Sequence, residues 1–230
     1  MKVGSPPAHL VVAIDGPAGA GKSTVARRLA ARLGVPFVDT GAMYRAAALF
    51  LRDRAIDPDD VEGVSAALPQ LDLVLLEGPG RAEIRLHGRP VEDQIRAPEI
   101  SALTSRVARH SGLRRRLVEL QRDFVGRYGG VMEGRDIGTV VVPETPFKFY
   151  LDATPQTRAA RRHAELRALG VESDAEEIAR QIAERDERDS TREASPLAAA
   201  PDAVHFSSEG LTVDEVVGRI SAEIERLSVS

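Results

Sequence analysis

The sequence predicts an α/β protein in which a five-stranded parallel sheet is flanked by helices around a phosphate-binding loop. Three observations carry that expectation. A short apolar run at residues 10–14 leads directly into Gly16-x-x-x-x-Gly21-Lys22-Ser23, the full Walker A pattern of a P-loop NTPase. An amphipathic stretch follows it, and a second strand-like run returns at residues 35–39, so strand, loop, helix and strand form the first crossover of an α/β fold. Three further strand-like runs lie at residues 130–132, 147–151 and 203–206.

The remaining elements follow in order. Val25, Leu29 and Leu33 line one stripe of the first helix, which Gly34 ends. Thr40 is placed to cap a helix running from residue 41 to about 53. A short helix is expected within residues 57–70, starting at Asp57 and Pro58. From Leu71 the texture changes: LDLVLL, EIRLH and a turn at Gly88-Arg89-Pro90 read as a small antiparallel sheet, an insert over about residues 68–110. Gln94-Ile95-Arg96 opens a helical stretch, and Leu113, Leu117, Leu120 and Phe124 mark the apolar face of the next helix. Pro155 starts a helix over residues 156–169, and a second charged helix runs from about 176 to 188. Residues 193–202 read as an Ala/Pro-rich loop, and residues 213–227 as the closing helix.

Composition narrows the function classes. The chain has 230 residues, enough for one domain or one domain with an insert. It has no cysteine, which removes disulfides, thiol catalysis and Cys-ligated zinc. No run approaches the roughly 18 apolar residues of a membrane helix, and the first nine residues do not make a signal peptide. A cytoplasmic protein with no membrane partner is therefore expected. The net charge of −4 and an aromatic content of 4 % argue against nucleic acid as a partner. Lysine occurs only at 2, 22 and 148, so the positive charge is almost all arginine. Arginine's fork suits a phosphate-rich site, although a biased genome composition gives the same excess. His9, His87, His110, His163 and His205 have no metal-ligand spacing and read as surface or packing residues.

The chemistry concentrates at strand ends. Gly16, Pro17, Ala18, Gly19, Ala20 and Gly21 form the turn whose backbone N–H groups suit a nucleotide's phosphates. Lys22 is expected to reach the β/γ oxygens, exposed in the loop when ligand is absent, while the Ser23 hydroxyl ligates Mg²⁺. Thr40 and Arg45 follow the second strand, where a substrate phosphate or plain capping explains them equally. Arg114–Arg116, near a helix start, conflict with its dipole unless anions or acids compensate; phosphate binding and three solvated arginines both fit. Glu133 ends a core strand, well placed to act on Mg²⁺ or on an acceptor group, with Arg135 beside it. Arg158 and Arg162 share a helix face with Arg161 to the side, and Arg185, Asp189 and Arg192 end the next helix. A solvated helical pair and a lid closing arginines over a transferring phosphoryl group both produce that pattern. The residues alone therefore support a small-molecule kinase acting on a nucleoside monophosphate. Another P-loop kinase, for adenylate or dephospho-coenzyme A, is the nearest rival. A GTPase switch lacks its Asn-Lys-x-Asp motif here.

Read together, IDGPAGAGKST, DTGAMYRA, QIRAPEIS, GRDIGTVV, FYLDATPQTRAARR and ERDERDSTR resemble the bacterial cytidylate kinases over essentially the whole chain. The resemblance implies ATP- and Mg²⁺-dependent phosphorylation of CMP and dCMP by a monomer. It implies one domain: a CORE at about 8–67, 111–157 and 193–230, an NMP-binding insert at about 68–110 and a short helical LID at about 158–192. It places Thr40 and Arg45 at the acceptor phosphate, and Ser105, Arg114 and Asp136 around cytosine and ribose. Arg135, Arg185, Asp189 and Arg192 become the acceptor and transition-state group, and Arg158, Arg161 and Arg162 the lid side of ATP. Ser23 is commonly glycine in such enzymes, where the next threonine supplies the hydroxyl, so Ser23 and Thr24 both stand as Mg²⁺ ligands.

Overall fold

The computed structural model describes residues 10–168 and 170–229. The expectations for residues 1–9 (no signal peptide, Lys2, His9), for Leu169 as a helix end and for Ser230 lie outside the described residues. The chain divides into two compact units, Met1–Val11 with Leu33–Met132, and Val12–Arg32 with Glu133–Ser230.

In the second unit, β1 (Val11–Asp15) lies parallel to β7 (Lys148–Asp152), with Asp15 opposite Tyr150. β7 in turn lies parallel to β8 (Val204–Ser207). β1 and β7 are largely buried on both faces, whereas β8 alternates half-buried Val204 and Phe206 with exposed His205 and Ser207, as an edge strand does. Helix α1 (Lys22–Leu33) starts inside the phosphate loop and buries Val25 and Leu29, with Leu33 half-buried. Helices α6 (Pro155–Ala168) and α7 (Ala175–Thr191) pack through Ala159, Leu166, Ile178 and Ile182, with Ala18 of the loop in the same cluster. Helix α8 (Val213–Ser228) carries a complete capping box, Thr212 with Glu215.

In the first unit, helix α2 (Thr40–Asp53) is the central element, with ten of its residues buried. Strand β2 (Phe37–Asp39) precedes it. The insert is antiparallel as expected: β3 (Leu73–Gly78) and β4 (Arg81–Leu86) form a hairpin, and β5 (Arg89–Pro90) adds to β4. β4 continues onto β2 in parallel at Phe37 and Arg81. β6 (Gly130–Gly134) neighbours β2, with Val131 N donating to Pro36 O at 2.9 Å. Helices α3 (Val61–Ala67), α4 (Pro98–Val107) and α5 (Ser111–Tyr128) complete the unit.

Several boundaries move, each for a local reason. α2 is capped by Asp39, whose carboxylate accepts from Ala42 N at 2.8 Å; Thr40 is already its first residue. α3 starts at Val61 behind the Asp60 cap, because Asp57 spends its carboxylate on Asp59 N and its carbonyl on Asp60 N in a separate turn. The stretch after Gln94 is broken, since Ala97 precedes a proline and is held extended at ψ 137°. α5 gains a turn and ends at Gly129, φ +64°, where a side chain would strike the Leu10 carbonyl.

Candidate functional site

The phosphate loop belongs wholly to the second unit. Its shape depends on missing side chains: a Cβ on Gly16 would lie 2.0 Å from Leu151 O, and one on Gly19 2.9 Å from Arg158 O. Both glycines also hold positive φ, +148° and +76°. That leaves a cradle of backbone at the start of α1 that fits a nucleotide's phosphates.

Lys22 corrects one expectation. It is only 5 % exposed, with Nζ folded back to donate to Pro17 O at 2.7 Å. The loop supplies its own acceptor, so the ammonium is not left in solvent. Burial, then repulsion from Arg135, pushes its pKa down to about 7. Asp15, just before the loop, is also buried and accepts from Ile137 N at 2.9 Å and Gly138 N at 2.8 Å. Burial raises its pKa to about 6. These bonds fix the π-helical turn Ile137–Val141 after β6, directly behind Asp136. Asp15 was not singled out from sequence; its signal was an acid closing an otherwise apolar strand.

Ser23 Oγ donates to Glu133 Oε1 at 2.8 Å, whereas Thr24 is exposed. A hydroxyl beside a buried carboxylate at the phosphate cradle is a donor set that fits Mg²⁺ with a nucleotide. Among the described residues no cluster of three or more His, Asp or Glu could hold a metal by itself. The ion's remaining ligands would therefore be phosphate oxygens and waters.

Asp189 gathers the arginines expected at the transferring group. It accepts from Arg135 Nε at 3.0 Å, with Arg192 Nη1 at 3.8 Å and Arg185 Nε at 4.0 Å. Arg192 also lies 3.7 Å from Asp136 Oδ1 and donates from Nε to Ser195 O at 2.5 Å. Ser195 sits at φ +54°, rare outside glycine, which turns its carbonyl towards that guanidinium. Arg192 and Asp189 are buried, so the solvated-pair alternative fails for this end of α7.

The three arginines of α6 separate. Arg161 donates to Ser208 O at 2.7 Å, to Ser208 Oγ at 2.8 Å and to Ala20 O at 3.4 Å. Arg158 is buried, donating to Ala153 O at 3.1 Å, to Ala18 O at 2.9 Å and to Asp186. Arg162 pairs with Glu165 at 2.7 Å on the exposed face. Arg158 and Arg162 thus face different ways: Arg158 turns in towards the loop, whereas Arg162 stays with its own helix surface.

In the first unit, Arg45 donates to Asp39 Oδ2 at 2.8 Å, and Thr40 is buried beside them in sequence. The triplet Arg114–Arg116 divides too. Arg114 is buried, 5.3 Å from the Tyr44 ring centre, and donates to Ala108 O at 3.3 Å. Arg115 and Arg116 are exposed. Ser105 is half-buried on α4.

Residues 12–226 match the family model for cytidylate kinase. The chain belongs to the cytidylate kinase family. It is 46 % identical to the cytidylate kinase of Pelotomaculum thermopropionicum, over 93 % of this chain and 95 % of that one. It is 44 % identical to the cytidylate kinase of Carboxydothermus hydrogenoformans, over 94 % and 97 %. A solved structure from Eubacterium ventriosum, an uncharacterized protein, shares the fold with TM-score 0.52 at 13 % identity, covering 95 % of this chain and 99 % of that one. For this cytidylate kinase family member, no helix among the described residues is long and apolar enough to cross a membrane.

Proposed function

We propose that the chain transfers the γ-phosphoryl group of ATP to CMP and dCMP, giving CDP and dCDP by direct in-line displacement. The observation that carries this reading is the whole-length family match joined to a phosphate loop with its arginine–Asp189 cluster in one unit. The residues at 16–24 take the ATP phosphates, and Arg161 lies beside the loop on the ATP side. Ser23, with Glu133 behind it, is the preferred Mg²⁺ hydroxyl over the exposed Thr24. When bound, Mg²⁺ neutralises charge on the β- and γ-phosphate oxygens.

Lys22 leaves Pro17 O for those oxygens, and Arg135, Arg185 and Arg192 stabilise charge on the group in flight. The acceptor phosphate oxygen is already anionic, so no protein base is needed. Thr40 and Arg45 are assigned to that phosphate; Ser105, Arg114 and Asp136 are assigned to cytosine and ribose. Asp189, with Arg135 and Arg192, completes the acceptor group. The same family match supports a cytoplasmic monomer of one domain, with a CORE, an NMP-binding insert at about 68–110 and a LID at about 158–192.

An acceptor panel with ADP readout tests it. CMP and dCMP should be good acceptors, UMP poor, and AMP and GMP nearly inactive. Uracil offers an acceptor where cytosine has its N4 donor, leaving a buried partner unpaired at about 1–3 kcal/mol. UMP within twofold of CMP at limiting concentration would overturn the cytosine assignment.

A further inference from the structure

Asp186 sits on α7, between the arginines of the site, yet none of the assigned roles uses it. A carboxylate beside a phosphate cradle should repel the ligand unless something neutralises it. Here it acts as a fork. Oδ1 accepts from Ala18 N in the phosphate loop at 3.0 Å, and Oδ2 pairs with Arg158. Arg158 Nη1 in turn donates to Ala18 O at 2.9 Å, closing a ring of three residues. The ring is enclosed, with side-chain exposures of 9 % for Arg158 and 17 % for Asp186. Ala18, Ala159, Ile178 and Ile182 pack as one apolar cluster.

The backbone N–H and C=O of Ala18 are thereby both engaged by α6 and α7. We infer that Asp186 is a positioning residue that fixes the register of α7 on the phosphate loop. Arg185, Asp189 and Arg192 follow from that point at fixed helical offsets, with a rise of about 1.5 Å per residue. A slip of one residue would carry the Asp189 carboxylate out of reach of Arg135, now at 3.0 Å. The arginines are thus located relative to the loop that holds the donor phosphates, not merely relative to one another. This inference rests on the proposed phosphoryl transfer for its consequence, but not for the ring itself.

The test compares Asp186→Ala and Asp186→Asn in the full chain, well below each variant's melting temperature. Asp186→Ala should lower kcat about 100-fold, the scale set by an ångström-size misplacement. CMP affinity measured without ATP should weaken as well, because Asp189 and Arg192 belong to the acceptor group, while circular dichroism stays unchanged, a split that general loss of structure would not produce. Asp186→Asn keeps an acceptor for Ala18 N but loses the ion pair, and should recover roughly tenfold of that loss. Independently of activity, amide exchange at Ala18 should quicken at least about tenfold in the alanine variant and stay near wild type in the asparagine one. Unchanged Ala18 exchange in Asp186→Ala, or kcat within about threefold of wild type, overturns the inference. If the alanine variant does not fold, the asparagine variant decides: kcat and α7 exchange both at wild-type level overturn it. A wild-type enzyme that makes no CDP would instead refute the proposed function, while the exchange measurement still judges the ring.

Discussion

At the scale of single residues, Lys22 shows how a functional group burdens the fold that carries it. Its ammonium is buried on Pro17 O with a pKa of about 7, against 10.5 in the unfolded chain. Between those values the unfolded chain holds more protons, so stability rises with pH across that window. The burden is full below about pH 7 and fades towards pH 10.5. Lys22→Met should therefore raise the melting temperature of the ligand-free protein most at pH 6 and progressively less towards pH 10. An advantage independent of pH would show that the ammonium is not the cause. Lys22→Ala should leave circular dichroism unchanged while costing about 3–5 kcal/mol at the transition state; a near-wild-type kcat would remove Lys22 from the mechanism. Arg192→Ala should mainly lower kcat, because Asp136 and Asp189 hold that guanidinium at the site before substrate arrives. A change confined to KM would contradict this.

At the scale of elements, Gly16 and Thr212 predict opposite outcomes. Gly16→Ala puts a methyl 2.0 Å from the Leu151 carbonyl, so β7 and the loop cannot both keep their places. Transfer should be lost along with stability. Thr212→Ala removes one half of the α8 capping box and should cost about 1 kcal/mol. That corresponds to a fall of about 2–4 °C in melting temperature for a chain of this size, with kcat unchanged. A kcat loss in the folded Thr212→Ala enzyme would mean α8 does more than close the fold.

What could be read from sequence divides along the same lines. The phosphate loop was legible because a strand, three glycines and a helix start must occur in fixed order. The insert's strands were legible through their alternation, but its turns were not: β3 and β4 join at Pro79–Gly80, and Arg89–Pro90, expected in a turn, form β5 behind a turn at His87–Gly88. Caps were less so: Thr40 was expected to cap α2, and only the geometry of the Ala42 amide gives that place to Asp39. The arginine-rich helices were legible as a group but not residue by residue. Helical spacing puts Arg158 and Arg162 on one face, but it cannot see that Asp186 draws one inward and Glu165 keeps the other out. Asp186 itself carried no local signal, since its partners lie 28 and 168 positions away.

At the scale of the whole molecule, charge balance bears on lid motion. Mutual repulsion of arginines would favour an open state, but Arg135, Arg158, Arg162, Arg185 and Arg192 each have a carboxylate at hand. Any movement of α6 and α7 must then come from exchange of those carboxylates for phosphates. Amides in residues 158–192 should gain protection with a bisubstrate analogue and much less with ATP alone. Equal protection in free and fully liganded enzyme would mark both helices as static.

The division of the chain has a further consequence during synthesis. The unit that holds the phosphate loop takes its first strand and helix from Val12–Arg32 and everything else from Glu133 onward. On a ribosome, β1 is made long before β7, the partner it meets in register from Ala13 to Asp15. Meanwhile Leu33–Met132 emerges with its hairpin partners only a few residues apart and can condense first. The Walker sequence therefore spends its early life without the strand whose Leu151 carbonyl shapes its first glycine. A nascent chain halted at residue 132 should carry the complete motif and still retain no nucleotide.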